Sequence, residues 1–454
     1  MRDKGPLWSR VLLLVLWIGL LFPRAGGQAQ EAGQGMRLLI LPFWGSAGPA
    51  HGAGLRDLLG FCLSRAGRVH VINGREVRRS LEWNPGWRGL VIGEATELGQ
   101  HHHAHVVLLV RYALEKDRLT YQVSLGDLRG KPAWRQLPVA ERPWSETHQL
   151  HLRLAREVLH LLNPPPLGSE ERRVMTACGH PFPSQEGLSL HGRARLKEWG
   201  GKREDATDLY ARAGKAAPGF ALPFLRQGEL FEVLESRWRA AGAYRRAIQA
   251  DARFPEAYKR LGDLFAENPR RLFDQAVEAY RKAVEIDPDY AEAYVGLANA
   301  LVTLGNVEEA LWEYRRGLSV DPWNARAHLG LANTYYNDRG LFHEAVAEYE
   351  RALDLDPTFL EAYLGLGDLL EEKGLFRKAI ARYRQVLDLK PAHTGALFAI
   401  ARAYEKVDVE EAIAHWGHYL DVALELPSER EWLDIARGHL EKLRRLKEEN
   451  SPVE

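Results

Sequence analysis

Alanine followed four residues later by an aromatic recurs seven times in the second half of the chain. The pairs are Ala206/Tyr210, Ala240/Tyr244, Ala276/Tyr280, Ala310/Tyr314, Ala345/Tyr349, Ala379/Tyr383 and Ala412/Trp416. Successive alanines lie 34, 36, 34, 35, 34 and 33 positions apart. A period near 34 describes a stack of helical hairpins rather than one globular core, because each hairpin buries its apolar face only against its neighbours. Such a stack presents a long groove, which points to binding rather than catalysis.

Each unit opens on an aromatic or histidine three residues before leucine. Examples are Tyr258-x2-Leu261-Gly262-x2-Phe265, Tyr294-x2-Leu297-Ala298-x2-Leu301, His328-x2-Leu331-Ala332-x2-Tyr335 and Tyr363-x2-Leu366-Gly367-x2-Leu370. Units close on Pro218, Pro288, Pro322, Pro357 and Pro391, with Ala252 where one further proline would fall. Proline ends the second helix because it lacks an N–H and clashes with the preceding turn. Gly305, Gly340 and Gly374 fall where the hairpin needs a left-handed residue. This pattern resembles the tetratricopeptide repeat over roughly residues 187–425, most closely in units four to six. The first unit carries two extra residues before Ala206, and the last has Leu397 and no closing proline. The resemblance implies an all-α superhelical solenoid of about seven hairpins. Ser428 to Glu449 then reads as a charged helix that caps the open end.

Residues 36–163 read as an α/β domain, so the chain as a whole is multidomain. Arg37 to Phe43 and Val69 to Ile72 are short apolar runs expected to be buried strands. Gly54 to Arg65 has helical spacing, and Glu94 to Gly99 ends another helix. His105 to Ala113 and Leu119 to Leu128 form a hairpin around Glu115-Lys-Asp-Arg118. Trp144 to Leu162 is an amphipathic helix, and Pro164-Pro-Pro166 begins a linker to residue 186. The order resembles the amino-terminal domain of TolB-like envelope proteins and of related flagellar and curli-secretion proteins. Leu39-Ile-Leu-Pro-Phe43, Arg68-Val-His-Val-Ile72, Leu98-Gly99, Ala104 to Arg111 and Tyr121 to Leu128 carry the likeness. It implies an envelope-associated interaction domain and transfers no catalytic residue.

The chain opens with Arg2, Lys4 and Arg10, an apolar run from Val11 to Phe22, and small residues up to Ala29. This reads as an export signal over residues 1–29, cut after Ala29, since the run is too short to span a bilayer comfortably. The mature protein is then expected to be periplasmic or secreted, with no stable membrane span. Charge is balanced at 61 basic and 61 acidic residues, so no clustered basic excess points to nucleic acid. Cys62 lies in an apolar helical pattern and reads as core. Its pairing with Cys178, the only other cysteine, is left open by the spacing.

Motifs that would carry chemistry are sparse. His101, His102, His103 and His105 could offer imidazoles to a metal, but adjacent residues of an extended segment face opposite ways. His148 and His151 share a helix face among leucines, which marks packing. Gly45, Gly48, Gly52 and Gly54 lack the lysine and spacing of a phosphate loop, and read as a flexible loop. No catalytic residue, metal or cofactor is therefore expected. The tetratricopeptide resemblance instead implies a site on the concave face of the first helices, which counting from each opening aromatic places at Val295, Asn299, Val302, Arg326, Leu329, Asn333, Tyr336, Asn337, Leu364 and Asp368. Amides there can pair with the backbone of an extended partner segment. Acidic residues gather towards both ends, at Glu229, Glu232, Asp263, Glu371 and Glu372. The resulting expectation is an exported scaffold that binds envelope proteins through extended segments. The alternative is a small-molecule receptor or enzyme working through the α/β domain, which a deep polar pocket near Pro42 to Gly54 would favour.

Overall fold

The computed structural model describes residues 36–41, 43–45, 48–64, 69–72, 92–101, 104–137, 139–162, 183–267 and 272–449. All of them belong to one compact unit, Gly35–Glu454. The expected export signal, most of the expected linker and Cys178 lie outside the described residues.

The apolar run Met36–Ile40 forms β1, and its alternate residues serve two cores. Leu38 and Ile40 pack with Leu55 and Leu59 of α1 (Gly48–Ser64) and with Val158 of α3 (Thr147–Leu162). Leu39 and Leu41 pack with Ala95 and Leu98 of α2 (Ile92–His101). A strand covered on both faces reads as a continuous apolar run rather than an alternating one. β1 pairs in parallel with β3 (Val69–Val71) and β4 (Val106–Glu115). β4 and β5 (Arg118–Asp127) form the antiparallel hairpin, turning at Lys116 with φ 54°. β2 (Trp44–Gly45) pairs with β4, while β6 (Ala133–Gln136) and β7 (Ala140–Pro143) pair with β5. These last two strands have no counterpart in the sequence reading.

The glycine segment is not a loop. α1 begins at Gly48, so Gly52 and Gly54 are helical. Their lack of a side chain serves close approach: a Cβ on Gly52 would stand 2.1 Å from the Phe43 carbonyl oxygen, and one on Gly54 2.7 Å from that of Leu188.

Among the described residues, fourteen further helices pair into seven hairpins. They are α4 (Gln185–Trp199) with α5 (Arg203–Ala216), α6 (Leu222–Val233) with α7 (Arg237–Ala250), and α8 (Pro255–Ala266) with α9 (Phe273–Ile286). Then come α10 (Ala291–Thr303) with α11 (Val307–Val320), α12 (Ala325–Arg339) with α13 (Phe342–Leu355), α14 (Leu360–Glu372) with α15 (Phe376–Leu389), and α16 (Thr394–Tyr404) with α17 (Val409–Ala423). All seven repeat alanines are fully buried, and the seven aromatics four residues later are at most 3% exposed. Gly305, Gly340 and Gly374 take φ values of 82°, 61° and 71° inside their hairpins. Asp287, Asp321 and Asp356 precede the closing prolines at φ −127°, −131° and −135°, outside the helical region that proline denies its predecessor. Each accepts the backbone N–H two residues on, and so does Asp251 ahead of Ala252, so the turn survives there without proline. The last helix, α18 (Arg430–Glu449), buries Leu433, Ala436, Leu440 and Leu443 against the final hairpin.

Tyrosine fills the space between units. Tyr280 lies against both Gly262 of its own hairpin and Gly296 of the next, where added Cβ atoms would stand 2.8 and 2.5 Å from its ring. Tyr349 and Tyr383 approach α14 from its two sides in the same manner, at Gly365 and Gly367.

The sheet domain and the array share a core. One buried cluster runs from Leu38 and Leu108 of the sheet through Leu188 and Phe224 to Phe254. A Cβ on Gly192 would stand 1.6 Å from the Ala50 carbonyl oxygen, so α1 and α4 meet backbone to backbone. Charge is buried at the same joint. Asp57 of α1 accepts from His191 Nε2 at 2.9 Å and from Arg226 Nε at 3.2 Å, and Arg195 Nε lies 3.1 Å away. Burial opposes ionisation of Asp57, yet the Arg195 and Arg226 guanidiniums outweigh it and hold the carboxyl well below its ordinary value. Cys62 is core as expected, 1% exposed, and it is also disulfide-bonded.

Candidate functional site

The first helices of successive hairpins, α8, α10, α12, α14 and α16, approach one another more closely than the second helices do. They therefore line the inner side of the array. On that side a fixed polar position in each central unit accepts a hydrogen bond from the buried tyrosine of the same hairpin. Tyr280 donates to Asp263 at 2.8 Å, Tyr349 to Asn333 at 2.5 Å and Tyr383 to Asp368 at 2.7 Å. Tyr314 donates to Asn299 in the same way. A phenol closed off from water needs such a partner, so these four side chains have a structural duty. The signal was present in the sequence: each acceptor falls 15 to 17 residues ahead of its tyrosine.

This geometry orients the amides. With Oδ1 of Asn299 and Asn333 turned to tyrosine, each Nδ2 group is left as a donor on an exposed side chain. Arg326 is exposed and makes no ion pair among the described residues, and Asn337 is exposed beside Asn333 on α12. Tyr336 is half-buried and donates to Glu372 of the next unit. Burial raises the Asp368 carboxyl above its ordinary value, against the pull of the Tyr383 hydrogen bond.

The apolar part of the expected site lies inward. Val295 is only 7% exposed and belongs to the core between α10 and its neighbours, so it is no groove residue. Val302 packs against that core, and Leu329 and Leu364 pack against the next one. Val295 follows Tyr294, which faces the interhelical seam at 1% exposed, and shares its burial; Val302, Leu329 and Leu364 are partly exposed.

The flanks are acidic but partly neutralised. Glu371 takes a two-point contact from Arg402, at 2.8 and 3.1 Å. Glu229 takes Arg226 at 2.9 Å and Arg260 at 3.1 Å. Burial raises the Glu232 carboxyl.

Of the histidine candidates, His105 is fully described. His105 Nδ1 accepts the Arg37 backbone N–H at 2.9 Å, which ties it to the sheet. His102, His103 and the side chains of His148 and His151 lie outside the described residues. Among the described residues no group of three or more His, Cys, Asp or Glu could hold a metal ion. Within Pro42 to Gly54, the region where a polar pocket would favour a receptor or enzyme, the described helix α1 packs on Phe43 and Leu188, while Pro42, Ser46 and Ala47 lie outside the described residues.

Comparison with known proteins agrees with the helical repeats. Residues 273–305, 298–338 and 336–374 match a family described as TPR repeat, and residues 364–417 match one described as tetratricopeptide repeat. No curated protein matches the chain. Among solved structures, a TPR protein of Thermus thermophilus is 26% identical, covering 40% of this chain and 98% of its own, with a TM-score of 0.36. PilF of Pseudomonas aeruginosa is 18% identical over 54% of this chain and 99% of its own, with a TM-score of 0.40. PilW, a type IV pilus biogenesis factor, is 18% identical over 48% and 99%, with a TM-score of 0.42.

Proposed function

We propose that this chain is an exported scaffold of the bacterial cell envelope, which holds an extended segment of a partner protein along its tetratricopeptide groove. Tetratricopeptide repeats are protein-interaction scaffolds, and the observation that carries the reading here is the donor row on the inner face. Asn299 and Asn333 come from adjacent first helices, and tyrosine orientation turns both amide N–H groups outward. An extended backbone offers carbonyl acceptors to such a row. Tyr336 adds a partly buried aromatic surface, and Arg326 adds a cation for a carboxylate.

Export is supported by the basic start, the Val11 to Phe22 run and the small residues up to Ala29. The Cys62 disulfide agrees with an oxidising compartment. No helix among the described residues is long and apolar enough to cross a membrane. The amino domain is read as TolB-like, an interaction platform rather than an enzyme. Its join to the first hairpin would hold the groove at a fixed angle to whatever the sheet domain contacts.

The test exploits the repeat itself. Asp263 and Asp368 already occupy the position of Asn299 and Asn333 in neighbouring units. Asn299→Asp with Asn333→Asp therefore keeps the acceptor for tyrosine and removes the outward donors. Partner capture from envelope extracts should fall more than about tenfold with helix content unchanged. Undiminished capture by the folded variant would place the partner site elsewhere.

A further inference from the structure

We propose that the joint between the sheet domain and the first hairpin binds a small oxyanion of phosphate or sulfate size, held by Arg56 and Trp199. Three guanidiniums meet at this joint. Arg195 faces Asp57 at 3.1 Å and Glu198 at 2.7 Å. Arg226 faces Asp57 at 3.2 Å and Glu229 at 2.9 Å. Arg56 has no carboxylate of its own among the described residues, although it is only 6% exposed.

The Arg56 Nε donates to the Ile40 carbonyl oxygen at 2.7 Å. Among the described residues its Nη2 is buried without a hydrogen-bond partner, and so is the indole N–H of Trp199. The two groups adjoin: the Arg56 guanidinium carbon lies 5.2 Å from the centre of the Trp199 ring, and that of Arg195 lies 5.1 Å from it. A buried cation without a paired anion is costly, and so is a buried donor left unpaired. Asp57 cannot supply both needs, because His191, Arg195 and Arg226 already share its oxygens. Burial and the nearby Arg195 charge lower Arg56 to about 10, against the opposing pull of Asp57.

An oxyanion answers all of this at once. It takes parallel N–H bonds from a guanidinium and a further one from the indole. Arg56 belongs to α1 and Trp199 to α4, so the bound anion would bridge the two domains and tighten their joint.

The test uses the whole mature chain in a buffer whose ionic strength is held with gluconate. Inorganic phosphate and sulfate are titrated separately, with acetate and chloride as comparison, and followed by calorimetry and thermal unfolding. One saturable site per chain is expected for phosphate or sulfate, with a rising midpoint as ligand binds the native state. Arg56→Gln should weaken binding at least about tenfold, the loss of one charge-assisted pair. Trp199→Phe keeps an aromatic face, removes the N–H and should also weaken binding, which preserves the test if Arg56→Gln fails to fold. Saturable binding of acetate or chloride alone would contradict the assigned ligand class. The proposal is overturned if wild type shows no saturable binding, if Trp199→Phe binds unchanged, or if all anions raise the midpoint equally in wild type and variants.

Discussion

His191 Nε2 lies 2.9 Å from Asp57 Oδ2, joining α4 to α1 across 134 positions of sequence inside a core that both domains share. His191 is fully buried and Asp57 is 5% exposed. Asp57 also faces Arg195 and Arg226, so one carboxylate organises the joint.

Asp57→Ala should be among the most damaging single changes in the chain. It leaves two guanidiniums and an imidazole around a vacated site, and breaking a buried ion pair from one side costs about 3–5 kcal/mol. Denaturant unfolding should show a lower midpoint, with the sheet domain separating from the array as an additional transition. A single transition at the wild-type midpoint would show that Asp57 does not hold the joint.

Acid should loosen the joint in two stages. Burial, helped by the Arg195 and Arg226 charges, keeps His191 below its ordinary value of 6.5 despite Asp57. The unfolded chain therefore takes up a proton at this histidine before the native protein does, and stability falls as pH drops from about 6.5. Asp57 is depressed as well, so its contribution is lost at lower pH, below the unfolded value of 3.8. His191→Gln should flatten the first stage alone, measured as the difference in unfolding midpoint between about pH 7.5 and pH 5.5. An identical slope in the variant would assign the acid response to other groups.

Two glycine substitutions of identical chemistry should act in opposite directions. Gly330→Ala places a methyl 2.4 Å from the Tyr314 ring and should destabilise by about 1–3 kcal/mol through overpacking. Gly417→Ala, inside α17, meets nothing within 4 Å and should stabilise by about 0.5–1 kcal/mol through helix propensity. Melting curves of both variants decide it; equal effects would mean that Tyr314 does not occupy the seam between units.

Truncating a groove amide should separate stability from binding. Asn333→Ala removes the acceptor of the buried Tyr349 hydroxyl, which should cost about 1 kcal/mol or more. Asn333→Asp keeps that acceptor and should leave the unfolding midpoint within about 0.5 kcal/mol of wild type. Equal losses from both would deny the hydrogen bond its structural part.

The repeat was legible in the sequence because its cause is local and recurs. Alanine packing, glycine turns and proline stops act within a few residues, and each appears again about 34 positions later. The joint was not legible. Asp57, His191 and Arg226 are ordinary surface residue types, and only the tertiary contact of α1 with α4 and α6 buries them. Gly52 and Gly54 looked like loop residues because close backbone approach and chain freedom favour the same amino acid. The groove was half legible. The exposure of Asn299, Arg326, Asn333 and Asn337 follows the repeat register, whereas Val295 is buried in the core. The structural duty of Asn299 and Asn333 also went unseen, because a conformational partner and a binding partner ask for the same side chain.

Mapping where a captured partner lies decides whether the groove is the binding face. The mature wild-type chain and its Asn299→Asp, Arg326→Ala, Asn333→Asp variant would each be incubated with envelope extract, cross-linked and digested. Cross-links from wild type should concentrate on α10, α12 and α14 and be lost in the variant while its helix content stays at the wild-type level. Cross-links that fall on residues 36–162 and persist at full yield in the variant would contradict it.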